Sequence, residues 1–378
     1  MHIGILTFHA PHNFGSMLQN YALQQFLIAK GHSVETINLR NEKQKYMYNH
    51  PLHIGKSCPT YRALLGRFKD PKWLLTECKT WYLFEHFLKH NLSLTKEYRN
   101  WSEIKQELPK LNFDAVIIGG DQIWNTYCYD FDWSYFLPDN IKPTKKIAFC
   151  PSFGNQLQKT KEDKQLISTI KACLTDFDFI SVREKDSSEY LSRLLNKNVP
   201  VVLDPTFLIE SNYYLQLLKE PIVNEPYIYY YTPSHITDTE AENVAIGLAN
   251  LLDIKIVSSY PRFKERTKMI NVASGPIEFL NLLYNAQIVI GKSFHLIVFS
   301  ILFHKDFITI KKKNDARISS LLNLLKIEKR NIDIPEEYKF LKPIDYLTAE
   351  RELTKFREET IIYLNNSLLT NSFNIVKP

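Results

Sequence analysis

Apolar positions along the chain follow two rhythms. Short unbroken apolar runs end at glycine, proline or polar clusters, and between them lie longer stretches whose apolar residues recur at helical spacing. Residues 3–8, 33–39, 113–118, 146–149, 179–182 and 199–203 read as strands, and 16–30, 102–108, 163–175 and 187–195 as helices between them. Met17, Tyr21, Leu23, Phe26 and Leu27 mark the buried face of the first helix, which Gly31 closes. After residue 206 the pattern restarts, with strands at 227–231, 255–257, 287–290 and 307–310 and helices at 237–252, 276–284, 293–303 and 316–325. This alternation predicts parallel sheets in two α/β domains, an amino-terminal one over 1–206 and a carboxyl-terminal one over 207–345. The remainder, 346–378, is expected to carry one amphipathic helix (349–369) that packs back on the first domain. Between residues 41 and 98 the order is less regular. Helical pieces at 61–68 and 72–89 are rich in Trp, Tyr, Phe, Lys and Arg. They read either as sheet covers with their lysines in solvent or as basic, aromatic amphipathic helices lying on a membrane surface.

Length and charge narrow the class. With 378 residues the chain can bury two cores, and 21 Tyr and 23 Phe imply extensive core plus some exposed aromatic surface. A net charge of +6, spread along the chain, does not make the dense basic stripe of a nucleic-acid binder, so no nucleic-acid partner is expected. The five cysteines (Cys58, Cys78, Cys128, Cys150, Cys173) form no C-x-x-C pair and lack histidines at ligand spacing. Reduced thiols and no metal site are expected. The first apolar run is too short for a signal peptide, and none approaches the roughly 18 residues of a membrane span. The expectation is a cytoplasmic protein whose membrane contact, if made, is peripheral at the inner face of the plasma membrane.

Candidate chemistry gathers where strands end. The stretch 288–301, IVIGKSFHLIVFSI, reads as a strand, a corner at Gly291 and a helix with Ser293 and His295 in its first turn. Free helix N–H groups beyond a strand's carboxyl end favour an anion there. His295 is either an acid or base at that site or a histidine satisfied inside a helix start. Arg183, at the end of 179–182, offers a planar fork for a carboxylate or phosphate, with an ion pair to Glu184 or a nearby acid as the plain alternative. Gly119-Gly120-Asp121-Gln122-Ile123-Trp124-Asn125 forms a second polar strand end, read as a ligand wall or as a tight turn with Asp121 as a cap. The first loop lacks the G-x-G-x-x-G fingerprint, so no dinucleotide cofactor is expected.

Seven stretches in order resemble one family: HAPHNFGSMLQNYALQ (9–24), DAVIIGGDQIWN (114–125), PSFG (151–154), ISVRE (180–184), LDPT (203–206), GPIEFL (275–280) and SFHLIVFS (293–300). Together they resemble the polysaccharide pyruvyl transferases. The resemblance implies an α/β, GT-B-like fold of two Rossmann-like domains facing across a cleft. It also implies transfer of a pyruvyl group from phosphoenolpyruvate, a substrate rather than a cofactor, to sugar hydroxyls of a cell-surface polysaccharide or its lipid-linked precursor. A pyruvate ketal results. By resemblance Arg183 and Arg317 hold the donor, with Ser293 and Lys313 beside them, and His295 supplies acid–base catalysis. Lys311, Lys312 and Lys313 compete with Arg317 for its place. Asn13, Gly15, Gln19 and Asn125 are expected on the acceptor side, with Asp121 as a possible base, since neutral amides and carboxylates suit sugar hydroxyls. One departure is Leu296, where relatives commonly carry glycine; its bulk is expected beside the acid. A nucleotide-sugar-dependent glycosyltransferase and a catalytically silent glycan-binding protein are the other function classes this pattern admits.

Overall fold

A computed structural model describes residues 1–53, 70–138, 145–233, 239–259, 269–310 and 316–369. The first sheet holds β1 (His2–Leu6), β2 (Ser33–Leu39), β3 (Leu94–Tyr98), β4 (Ala115–Gly119), β5 (Lys145–Phe149) and β6 (Phe179–Ile180) in the order β3-β2-β1-β4-β5-β6. The second holds β7 (Tyr227–Tyr231), β8 (Lys255–Ser258), β9 (Met269–Asn271), β10 (Ile288–Gly291), β11 (Phe307–Ile310) and β12 (Asn331–Ile332) in the order β12-β11-β10-β7-β8-β9. Both are the doubly wound Rossmann order, and the strand pairs are parallel. Parallel strands are covered on both faces, which is why AVIIG of β4 and IVIG of β10 are unbroken apolar runs with every residue buried.

Three strands escaped the sequence pattern. β3, β9 and β12 are short edge or near-edge strands whose alternation is broken by polar residues. The strand expected at 199–203 shrinks to one parallel bridge, Val182 to Val201. Pro200, which has no N–H, precedes it and limits the ladder.

Six helices bear on the site. They are α1 (Phe14–Ala29), α2 (Pro71–Asn91), α3 (Pro276–Asn285), α4 (Phe294–Leu302), α5 (Ala316–Leu324) and α6 (Tyr346–Leu369). α1 starts where it does because the Asn13 side chain accepts from the N–H groups of Gly15 and Ser16. α6 packs back as expected and touches both units. Its Thr360 hydroxyl accepts from Leu203 N (3.0 Å) and its Leu368 carbonyl from Lys145 Nζ (2.7 Å), while Lys326 reaches Glu352 (2.6 Å). The expected helix at 61–68 lies outside the described residues.

One apolar core runs through both units, from Ile3 and Met17 of the first to Tyr229 and Phe299 of the second. Phe14 is its hinge pin: its ring stacks on Phe84 (5.2 Å, 13°) and on Phe279 (4.7 Å, 18°). Stacked rings add to the burial energy and fix how the two sheets face each other.

Candidate functional site

The two sheets bring their switch points together, so side chains from β1, β4, β6 and β10 loops meet at one place. Its centre is a carboxylate. Asp204 opens a short 3-10 turn (Pro205–Phe207), and its Oδ1 accepts from Thr206 N (3.0 Å) and Thr206 Oγ1 (2.7 Å). Its Oδ2 lies 2.8 Å from Arg183 Nη2 and 3.5 Å from His295 Nε2. All three side chains are buried, with Asp204 at 0% exposure. Burial pushes the Asp204 carboxyl up, but Arg183 and then His295 outweigh it and hold the group well below the usual carboxylate range. Asp204 therefore stays charged between Arg183 and His295, which come from different units.

Arg183 is charged, enclosed and short of hydrogen bonds. Among the described residues none of its guanidinium nitrogens finds a hydrogen-bond partner of good geometry, leaving the Asp204 ion pair as its compensation. The alternative partner, Glu184, accepts instead from the hydroxyls of Ser152 and Ser187. The Arg183 guanidinium sits 5.1 Å from the ring centre of Phe294, and that of Arg317 sits 5.5 Å from the same ring. Phe294 thus gathers two cations that would otherwise repel. The Gln122 side-chain oxygen, turned toward Arg317, accepts from its Nη2 (2.8 Å) and links the first unit to the second.

Beside these groups is a pocket of about 270 Å³, lined among others by Arg183, Asp204, Phe294, Arg317 and Phe356. α4 begins at its edge. Ser293 stands at the N-cap of α4 and makes no side-chain capping bond, so the first turn is not capped from within. Lys313, with Lys311 and Lys312, lies outside the described residues.

His295 is pinned from its other side by the first unit. A Cβ built on Gly15 would lie 1.9 Å from His295 Nδ1, so only glycine lets the start of α1 approach the imidazole. Gly15, expected on the acceptor side, lies against the histidine ring. Gln19 is fully buried, its amide donating to Thr7 Oγ1 (2.9 Å) and Ser16 O (3.0 Å), and Asn13 is spent as the α1 cap. Asp121, at φ 53°, accepts from the Ser16 hydroxyl and from Gln122 N (2.8 Å), while Asn125 accepts from Tyr127 N (3.2 Å). These polar residues stand where the sequence put them, at the strand ends, and there they hydrogen-bond to neighbouring residues of the first unit. Leu296 also departs from expectation: fully buried, it packs toward Gly291, where an added Cβ would meet its Cδ2 at 2.6 Å. Its bulk goes into the core.

Asp204, within LDPT, and Phe294, within SFH, are site residues to which the sequence pattern assigns no role. The signal was a carboxylate next to a turn-setting proline. Among the described residues no three His, Cys, Asp or Glu side chains come together as a metal would require. No described helix is long and apolar enough to cross a membrane.

A family model described as polysaccharide pyruvyl transferase matches residues 13–313. No curated protein matches the chain. Among solved structures, Arabidopsis thaliana UGT89C1 complexed with UDP-L-rhamnose is similar at 11% identity and TM-score 0.50, over 97% of this chain and 98% of that one. A UDP-GlcNAc 2-epimerase from Methanocaldococcus jannaschii is similar at 12% identity and TM-score 0.49, over 98% and 94%. One from Neisseria meningitidis bound to UDP-GlcNAc is similar at 11% identity and TM-score 0.48, over 99% and 96%. At such identities the likeness is one of fold alone.

Proposed function

The chain belongs to the polysaccharide pyruvyl transferase family, and on that premise we propose that it transfers the pyruvyl group of phosphoenolpyruvate to two hydroxyls of a glycan or lipid-linked oligosaccharide. The observation that carries this reading is the buried Arg183 guanidinium, whose donors find no hydrogen-bond partner among the described residues at the edge of a pocket it shares with Arg317. A buried donor left unpaired costs about 1–3 kcal/mol, and a small polyanion supplies what it lacks. Two arginines and the uncapped start of α4 at Ser293 suit the carboxylate and phosphate of such a donor.

In this reading the donor's methylene carbon takes a proton and becomes a methyl group. The resulting oxocarbenium carbon is captured by a sugar hydroxyl, which gives up its proton. The carbon–oxygen bond to phosphate then breaks and phosphate departs. The oxocarbenium carbon so regenerated is captured by the second hydroxyl, which closes the ketal. Of the two hydroxyl protons, one replaces that given to the methylene carbon and the other protonates the phosphate. His295, held between Asp204 and Gly15, is the proton carrier. Asp204 positions His295 and Arg183 together. Asp121, already anchored by Ser16 and Gln122, orders the wall on the acceptor side rather than taking the hydroxyl proton itself.

Thermal unfolding with added ligands tests the reading. A ligand that binds the folded state alone stabilises it by about 2.7 kcal/mol at a hundred times its Kd. Phosphoenolpyruvate should raise the midpoint of the wild type and not of Arg183→Ala, and phosphate should be released when a glycan acceptor is supplied. Stabilisation by nucleotide sugars and none by phosphoenolpyruvate would replace this reading with a glycosyltransferase.

A further inference from the structure

α2 has two unlike sides. Its inner side buries Leu74, Phe84, Phe87 and Leu88, and the Leu83 backbone lies so close to Gly275 that an added Cβ would meet it at 2.9 Å. Its exposed residues are Pro71, Lys72, Leu75, Lys79, Tyr82, His86, Lys89 and His90. The spacing of Lys72, Leu75, Lys79, Tyr82 and Lys89 sets them along one stripe. Leu75 is 70% exposed and Tyr82 58%.

No carboxylate is among those exposed positions. Of the two acids on α2, Glu77 is half-buried, and Glu85 turns inward to accept from Arg40 Nη1 (3.0 Å) and Nη2 (2.5 Å) and to meet His12 Nε2 (3.1 Å). The stripe is also wider than the helix. Trp81 Nε1 donates to Tyr48 O (3.0 Å) and its ring meets His50 edge-on (4.7 Å), which brings the exposed Met47 and Leu52 alongside.

We propose that this face docks on an anionic lipid bilayer, with Leu75 and Tyr82 entering the headgroup boundary and Lys72, Lys79 and Lys89 lying over acidic headgroups. Leucine and tyrosine between lysines, with no exposed acid, is the composition of a helix lying in that interface. The cations of the stripe are all lysines, whose long stems reach sideways to headgroups while their apolar neighbours sink. A folded acidic protein would be met better by the fixed fork of arginine, and the stripe has none.

The location gives the contact a use. On the inner side of α2, His12 stacks on Phe84 (4.8 Å, 3°) and Phe84 on Phe14, the residue before Gly15. The docked face therefore lies about one helix diameter, ~10 Å, from the loop that floors His295. A lipid-linked acceptor would be presented at the site from the surface to which the enzyme is bound; that purpose, though not the binding, rests on the pyruvyl transfer reading.

Co-sedimentation of the full chain with vesicles tests it. The wild type should sediment with vesicles of phosphatidylcholine and phosphatidylglycerol, be released by high salt, and stay in solution with phosphatidylcholine alone. Lys79→Gln should weaken partitioning about fivefold. The double variant Leu75→Glu, Tyr82→Glu should weaken it at least tenfold with an unchanged thermal midpoint, since both sites are exposed. Equal sedimentation of the double variant and the wild type, or none by the wild type on acidic vesicles, overturns the proposal. The phosphoenolpyruvate-induced thermal shift, measured on the same samples, reports the enzyme reading separately: vesicle binding without that shift leaves this inference standing and removes the other.

Discussion

The two sheets share one strand order and one apolar core, yet their carboxyl ends are spent differently. At the end of β1 and β4 the polar residues look to each other. Asn13 caps α1, Gln19 ties α1 to Thr7 through its amide nitrogen while its Oε1 finds no hydrogen bond among the described residues, and Asp121 takes the Ser16 hydroxyl and the Gln122 amide. Where Arg183 and Asp204 of the first half meet α4 of the second, donors are left over: Arg183 and His295 Nε2 find no hydrogen bond among the described residues. Paired polar groups build a wall, whereas a buried charged donor left unpaired at the edge of a pocket has hydrogen bonds to offer a ligand. Both ends look equally rich in polar residues in the sequence, so only their pairing separates scaffold from site.

The sharpest way to break this contrast is His295→Ala. Loss of an acid–base group should lower turnover by about a hundredfold to ten-thousandfold with circular dichroism unchanged. Near-normal turnover in phosphate release would make the histidine scaffold too.

Leu296→Gly separates folding from chemistry one residue further on. Emptying a fully buried site costs about 2–5 kcal/mol, and a glycine within the helix about 1 more. Urea unfolding should show that loss while the folded fraction keeps its affinity for phosphoenolpyruvate. A changed affinity would put Leu296 back beside the donor.

A third probe is the acid limb of stability at Glu85. Burial pushes its carboxyl up, but hydrogen bonds from His12 and Arg40 outweigh this and hold it at about 2 instead of 4.5. A depressed group stabilises the fold above its unfolded value, so this contribution is present at neutral pH and is lost as pH falls from 4.5 toward 2. It is on the order of 3 kcal/mol. Stability measured across that range should fall in the wild type and be flatter in Glu85→Gln; identical slopes would show that the pair does not bind the first loop to α2.

Gly15→Ala tests whether the wall serves the site by shape. The methyl group would occupy the imidazole's place, and a displacement of about 1 Å costs about a hundredfold in turnover, near 2.7 kcal/mol. Unchanged turnover would mean that His295 works elsewhere. The smallest effect is expected for Ser16→Ala, which removes one hydrogen bond to Asp121, worth about 1 kcal/mol in stability, and leaves turnover within a few-fold. A hundredfold fall would move Asp121 from the wall into the chemistry.

The sequence by itself determined the strands and helices that could not be otherwise. AVIIG, YIYYY and IVIG are buried on both faces, and unbroken apolar runs bounded by polar residues, glycine or proline admit little else. The restart after residue 206 and the motifs around Arg183 and His295 were equally legible, because periodicity and turn residues are local properties of the chain. Edge strands such as LTKEY were not, since half-exposed strands borrow their stability from a neighbour that the local pattern does not contain. Only the tertiary structure decided who pairs with whom. Arg183 chose Asp204 over the adjacent Glu184, Gly15 came to lie on His295, and Leu296 turned into the core. Each of these depends on where crossing connections and two packed sheets place residues distant in sequence, and charge or size at one position carries no record of its partner's address.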